Sequence, residues 1–189
     1  MTRLILIRHG ETDYSLQGRY CGFTNPSLNN KGILQSKMLA RRLEGIRIDK
    51  VYSSDLRRAC ETAKIIFKNN PIEKVADFRE MNFGIFEGLK YEEITKVYPK
   101  LYGAWIGNPK EIKIPNGEGL KDLHKRVKER LSFIFSQHKD KTIALVSHGG
   151  PIRVILCNTL RFDLKMFWQI KQETGALTIM NYTKEQAAT

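Results

Sequence analysis

Two uninterrupted apolar runs constrain this chain most: Leu4-Ile5-Leu6-Ile7 and Ile143-Ala144-Leu145-Val146. A strand with one wet face alternates apolar and polar residues. A short continuous run fits a strand buried on both faces, as in a parallel sheet covered by helices above and below. Further strands are predicted at 49–53, around Val51-Tyr52, at 73–76 and at 177–182. Helical spacing appears between them. Residues 30–44 place Ile33, Leu34, Met38, Leu39 and Leu43 at turn intervals, with Gly45 as a stop, and 55–68 place Leu56, Ala59, Ala63, Ile66 and Phe67 similarly. Residues 120–138 repeat the pattern, and 151–160 open on Pro151, a residue suited to a first helical turn. This alternation predicts an α/β fold: a three-layer α/β/α sandwich with a mostly parallel central sheet and helices on both faces. Residues 84–119 break it with glycines, prolines, tyrosines and Trp105, and read as a small helical, cap-like insertion over the active site. A length of 189 residues suits a single domain, 1–189, around one sizeable core.

Composition narrows the function classes. No apolar run approaches the roughly 20 residues needed to cross a bilayer, and the N-terminal apolar stretch is too short for the core of a signal peptide. A cytoplasmic protein with no membrane partner is expected. Cys21, Cys60 and Cys157 are odd in number and widely spaced, which argues against a disulfide framework or a zinc site and for reduced thiols. The net charge of +12 raises nucleic-acid binding as an option, but the lysines are spread over almost every helix and mixed with acids. Even the densest cluster, Lys121, Lys125, Arg126, Lys128 and Arg130, is broken by Asp122 and Glu129. It reads as a solvated helix face, with attraction of small anions as a by-product and no specific nucleic acid as partner.

The chemistry-bearing residues follow the strands. The first run leads into Arg8-His9-Gly10-Glu11-Thr12 and the later one into Ser147-His148-Gly149-Gly150. Ligands of open α/β sheets bind at this carboxyl edge. A glycine after each histidine permits a sharp turn and leaves room for a ligand. A His-Gly pair is also common in plain turns; its repetition at two strand ends sets these apart. His124 and His138 lie in or beside an amphipathic helix and read as surface residues. A third strand end, Ser53-Ser54-Asp55-Leu56-Arg57-Arg58-Ala59, offers a helix N-terminus and two cations to an anion, or simply a solvated helix face. In Arg79-Glu80-Met81-Asn82-Phe83-Gly84-Ile85-Phe86-Glu87-Gly88, glutamates stand among aromatics and glycines. This reads either as a loop salt bridge or as a loop over a pocket, where apolar surroundings would fit a carboxyl to act as a general acid.

Taken together and in order, Arg-His-Gly-Glu-Thr, Ser-Asp-Leu-x-Arg-Ala-x-x-Thr-Ala ending at Thr62-Ala63, Arg-Glu-x-x-Phe-Gly-x-Phe-Glu-Gly and Ser147-His148-Gly149 resemble the histidine phosphatase superfamily, which includes the cofactor-dependent phosphoglycerate mutases. The resemblance covers nearly the whole chain. Within the superfamily, Gly18-Arg19-Tyr20-Cys21-Gly22, Arg79 to Gly84, Ala104-Trp105 and Ile114 to Gly119 are similar to the α-ribazole phosphatases of cobalamin synthesis. The resemblance implies His9 as a nucleophile that becomes a phosphohistidine. It implies Arg8, Arg58 and His148 as holders of the phosphoryl oxygens, Glu80 as acid and then base, and neither metal nor cofactor. Gly149 and Ser15 join the implied phosphate site, Ser15 standing where the family usually has Asn. Arg58 is preferred to Arg57 because it directly precedes the alanine of the motif.

The implied substrate is a small phosphomonoester, α-ribazole 5′-phosphate or its cobalamin-linked form. Its flat base would meet Tyr20, Cys21, Gly22, Phe83 and Trp105, with Phe86 and Tyr102 in the same segments. Broad-specificity and phosphoserine phosphatases are the alternative. A phosphoglycerate mutase is a further one, for which the chain is short, and a non-catalytic phospholigand binder would have been expected to lose His9, Glu80 or His148. The sequence leaves the oligomeric state open, a homodimer included.

Overall fold

The computed structural model describes residues 1–182. Five strands form one sheet: β1 (Thr2–Arg8), β2 (Lys50–Ser53), β3 (Ile72–Lys74), β4 (Thr142–Ser147) and β5 (Leu177–Tyr182). Their spatial order is β3-β2-β4-β1-β5, parallel except for β5, which runs antiparallel to β1. The two apolar runs are the adjacent central strands, with Leu4 opposite Ile143 and Ile7 opposite Val146. The helices are α1 (Asp13–Leu16), α2 (Asn30–Arg42), α3 (Arg57–Ile66), α4 (Tyr91–Val97), α5 (Pro99–Gly107), α6 (Leu120–Gln137) and α7 (Gly149–Leu160). Among the described residues, no helix is long and apolar enough to cross a membrane.

The period of two along a strand divides the core. Ile5, Ile7, Val51, Ala144 and Val146 pack with Leu39 of α2, with Leu43 just past its end and with Ala59 and Ala63 of α3. Leu4, Leu6, Ile143 and Leu145 face the other way, onto Leu123, Val127 and Leu131 of α6 and Ile152, Ile155 and Leu156 of α7. Both faces of the sheet are therefore covered, as the runs require. The α2 face is narrower than its sequence pattern implied: Leu34 and Met38 point outward, 58% and 61% exposed.

Residues 84–119 hold α4, α5 and a 3-10 turn at Gly84–Phe86. Their apolar side chains do not build a core of their own. Phe86, Ile94, Trp105 and Ile114 are fully buried in the same cluster as Leu4 and Leu123. His124 and His138, expected on the surface, are half-buried. Each has a fixed partner, Asn158 Oδ1 at 2.8 Å and the Tyr52 hydroxyl at 2.8 Å, because amphipathic helices border on neighbours as well as on water.

Candidate active site

His9 follows β1 directly and its backbone is held on both sides. Its N–H donates to the Ser147 carbonyl at 3.0 Å, and its carbonyl accepts from Gly175 at 3.0 Å. Nδ1 lies 2.8 Å from the Gly10 carbonyl, which can only accept, so Nδ1 carries the proton and Nε2 keeps its lone pair. Arg58 Nε donates to that lone pair at 3.2 Å. Burial, with the Arg58 and Arg8 charges beside it, holds the His9 imidazole well below its ordinary value. The ring is neutral at physiological pH.

Gly10 is needed here for close approach rather than for a turn; neither Gly10 nor Gly149 has a positive φ. A Cβ on Gly10 would stand 2.5 Å from the Gly32 carbonyl oxygen, and one on Gly32 would stand 2.2 Å from that of Glu11. Two bare backbones thus let the first turn of α2 press on the His9 loop. The Gly10 N–H donates to Thr62 Oγ1 at 3.0 Å, and that hydroxyl donates to the Arg58 carbonyl at 2.8 Å, tying the loop to α3.

Arg58 is 1% exposed and donates to the carbonyls of Thr24 (2.8 Å), Cys21 (3.1 Å) and Gly22 (2.9 Å) as well as to His9. The Glu87 carboxylate collects the N–H groups of Gly22, Phe23 and Thr24 and so shapes the loop that aims those carbonyls. Arg57 points out and pairs with Glu61 instead. Its backbone N–H is taken by Asn25 Oδ1 at 2.6 Å, so it is the Arg58 side chain that reaches His9 from this end of α3.

The His148 ring centroid lies 5.0 Å from that of His9. His148 is fully buried, held well below the ordinary imidazole value by that burial and by Arg58. Its Nε2 meets Ser54 Oγ at 2.8 Å, and its Nδ1 has no partner. Arg8 donates to the Gln172 carbonyl while its Nε is buried without a partner. Glu80 departs from the expected apolar surroundings. Both its oxygens accept from the Gly150 N–H, at 3.0 and 3.1 Å, and Oε1 also accepts from Met81 at 2.8 Å. The carboxylate thus sits against the N-terminus of α7, where backbone N–H groups and the helix dipole favour an anion.

All of these groups except His148, which lies fully buried behind His9, meet in a cleft of about 290 Å³, lined by Arg8, His9, Thr12, Ser15, Gly18, Arg19, Tyr20, Cys21, Arg58, Glu80, Phe83, Gly149, Arg153 and Trp168. A larger recess of about 420 Å³ contains none of them and is bordered by Cys60, Lys64 and Phe67. Of the residues named from sequence, His9, Arg8, Arg58, Glu80, Gly149, Ser15, Tyr20, Cys21 and Phe83 border the cleft. The Ser15 hydroxyl is engaged with the Thr12 backbone in the cap of α1. Burial pushes the Cys21 thiol up to about 11. Gly22 does not line the cleft and acts through its carbonyl on Arg58.

Trp105 is a correction. It is 0% exposed and stacks edge-on behind Tyr20 (6.0 Å), Phe83 (6.1 Å) and Trp168 (5.0 Å). A side chain of that size in an amphipathic helix is more readily used to fill a core than a wall. The insertion 84–119 therefore backs the cleft and lines none of it. Trp168 and Arg153 were not read from sequence. The one available signal was Arg153, a lone cation in an otherwise apolar stretch of α7. Arg126 was also missed, read as part of a solvated face. It donates to the carbonyls of Asp77 (2.6 Å), Arg79 (2.8 Å) and Glu80 (2.9 Å) and pairs with Glu118, fixing the loop that carries Glu80.

Comparison with known proteins gives the family and the fold. Residues 4–189 match the family model described as the histidine phosphatase superfamily (branch 1). Phosphoserine phosphatase 1 of Hydrogenobacter thermophilus is 32% identical over 183 residues, covering 96% of this chain and 87% of that protein. The adenosylcobalamin/alpha-ribazole phosphatase of Escherichia coli K12 is 27% identical over 187 residues, 98% of this chain and 92% of that one. The solved structure of Bacillus stearothermophilus YhfR superposes with a TM-score of 0.91 at 27% identity, over 97% of this chain and 93% of its own. With two histidines and two arginines converging at the carboxyl edge of the sheet, and a family model matched along almost its whole length, this chain belongs to the histidine phosphatase superfamily.

Proposed function

We propose that this protein is a metal-independent phosphomonoesterase acting through a phosphohistidine on His9, with residues 1–189 as one catalytic domain. The observation that carries the proposal is the fixed, neutral His9 whose Nε2 lone pair faces Arg58 in a cleft shared with Glu80. Nε2 attacks phosphorus, forming the N–P bond as the P–O bond to the leaving alcohol breaks. Glu80 passes to the leaving oxygen a proton that the monoanionic phosphate of the substrate brings in. Water then attacks phosphorus, Glu80 takes its proton, the N–P bond breaks, and inorganic phosphate leaves. Covalent transfer divides one hard displacement into two easier ones. Arg8, Arg58 and His148 stabilise the spread negative charge, each well-placed donor contributing about 3 kcal/mol. The unpartnered His148 Nδ1 is the donor on that ring once Ser54 holds Nε2.

For the substrate we carry two readings. α-Ribazole 5′-phosphate is supported by the aromatic lining of Tyr20, Phe83 and Trp168 and by the Escherichia coli relative. A phosphoserine-like substrate is supported by Arg153 in the cleft and by the Hydrogenobacter relative. Three free thiols suit the reducing cytoplasm as its location.

The test is kcat/KM for phosphate release, with EDTA present, from α-ribazole 5′-phosphate, phosphoserine, 3-phosphoglycerate and an aryl phosphate. A preference of about 100-fold, near 3 kcal/mol, selects one substrate. His9→Ala should lose at least about 10³-fold and form no acid-labile phosphoenzyme. Turnover retained in His9→Ala would remove the covalent mechanism.

A further inference from the structure

Arg153 sits within the site without being needed for the steps above. A Cβ built on Gly149 would lie 3.4 Å from Arg153 Nη1, 3.7 Å from Glu80 Oε2 and 3.8 Å from Arg8 Cζ. Three groups, two cationic, thus surround one point at the start of α7. The Arg153 guanidinium is held in two ways. Its Nε donates to the Ile170 carbonyl at 2.7 Å, and its plane is packed by Phe167 and Trp168, at 5.5 and 5.8 Å from their ring centroids. The same segment, two residues on, holds Arg8 through the Gln172 carbonyl. Among the described residues Arg153 has no ion-pair partner within 4 Å, and no hydrogen bond of its terminal nitrogens is formed.

A guanidinium fixed at Nε presents its terminal N–H groups as a preset fork, the geometry that a carboxylate accepts in a bidentate manner. Its position bears on which part of a substrate it meets. Glu80 marks the side of the leaving oxygen, and Arg153 Nη1 and Glu80 Oε2 face the same point at Gly149, at 3.4 and 3.7 Å. The phosphoryl group already has Arg8, Arg58 and His148. Resting on the phosphohistidine reading, we propose that Arg153 is a specificity-determining residue that binds a carboxylate on the leaving group. The preferred substrates are then phosphate monoesters of small hydroxy acids. The aromatic wall excludes water from that ion pair and strengthens it.

The test uses a matched pair, 3-phosphoglycerate and glycerol 3-phosphate, which differ at the carboxylate. In the native protein the acid should have at least a tenfold higher kcat/KM. In Arg153→Met the ratio should fall toward one, mainly through KM of the acid, and Arg153→Lys should lie between. An unchanged ratio in Arg153→Met, including an equal loss on both substrates, overturns the proposal and leaves Arg153 a structural residue. So does a native protein that does not favour the acid. Calorimetric binding of the same pair to His9→Ala and to His9→Ala/Arg153→Met reads the preference without turnover. The acid should bind at least tenfold tighter than the alcohol to the first and equally to the second. Phosphate release surviving in His9→Ala would defeat the phosphohistidine mechanism alone, while an acid preference persisting in the double variant would defeat the assignment of Arg153.

Discussion

A methyl group at position 150 would stand 2.1 Å from Glu80 Oε1 and 3.2 Å from Leu123 Cδ2. The atom in the way is the end of a flexible side chain, so the backbone need not move. Gly150→Ala is therefore expected to fold with a melting temperature close to the native one. Glu80 would be displaced from its two N–H contacts, and kcat should fall about 100-fold, the usual worth of a positioned acid–base group. Thermal unfolding and phosphate release on the same preparation check both halves. A kcat within threefold of native would show that Glu80 does not need this seat.

At the scale of elements, the site is assembled by helix starts and by one clamp. α2 reaches the His9 loop through Gly10 and Gly32, α3 brings Arg58, and α7 brings the Glu80 seat. The loop from Asp77 to Asn82 is joined to them by Arg126 of α6, which binds three of its carbonyls and Glu118, alongside the Ser147 hydroxyl on the Phe78 carbonyl and the Arg79–Asp55 pair. Arg126 and Glu118 are both largely buried, so removing the cation takes a donor from three carbonyls and leaves the carboxylate with the Asn82 N–H but no counter-charge. Arg126→Ala should cost about 2–4 kcal/mol in urea denaturation and lower kcat by about tenfold. Arg130→Ala, whose pair with Asp77 is more open to water, should cost under about 1 kcal/mol. Equal costs would mean that the clamp adds nothing to an ordinary surface pair.

For the whole molecule, the two buried imidazoles set a pH dependence. In the unfolded chain both titrate near 6.5, while in the folded protein both are held well below it. Between those values the unfolded state binds more protons, so stability rises with pH. It is complete above about 6.5 and is lost as pH falls toward the folded-state values. Carboxylates such as Glu11, held by Lys31 and Asn29, and Asp49, held by the Thr142 N–H, are lowered from ordinary values and titrate further down. Urea titrations between about pH 5 and 6.5 should show stability falling with a slope that approaches about 2.7 kcal/mol per pH unit, two protons' worth. His9→Ala should halve that slope. A flat profile across this window would mean that neither ring is buried neutral.

The sequence by itself determined what local pattern can carry. Runs without polar interruption required strands covered on both faces, helical spacing placed α2, α3, α6 and α7 to within a few residues, and ordered motifs at strand ends marked His9, Arg8, Arg58, Glu80 and His148. Each of these is a statement about neighbours along the chain. Only the tertiary structure decided which large side chains face the cleft. Trp105 and Trp168 are both tryptophans among aromatics, yet one fills the core behind Tyr20 and the other lines the wall, a difference set by packing between distant segments. The roles of Arg126 and Arg153 were hidden for the same reason. Their partners are carbonyls and rings some 15 to 50 residues away, and a lone cation on a helix has no sequence pattern that separates a clamp or a ligand from a solvated face.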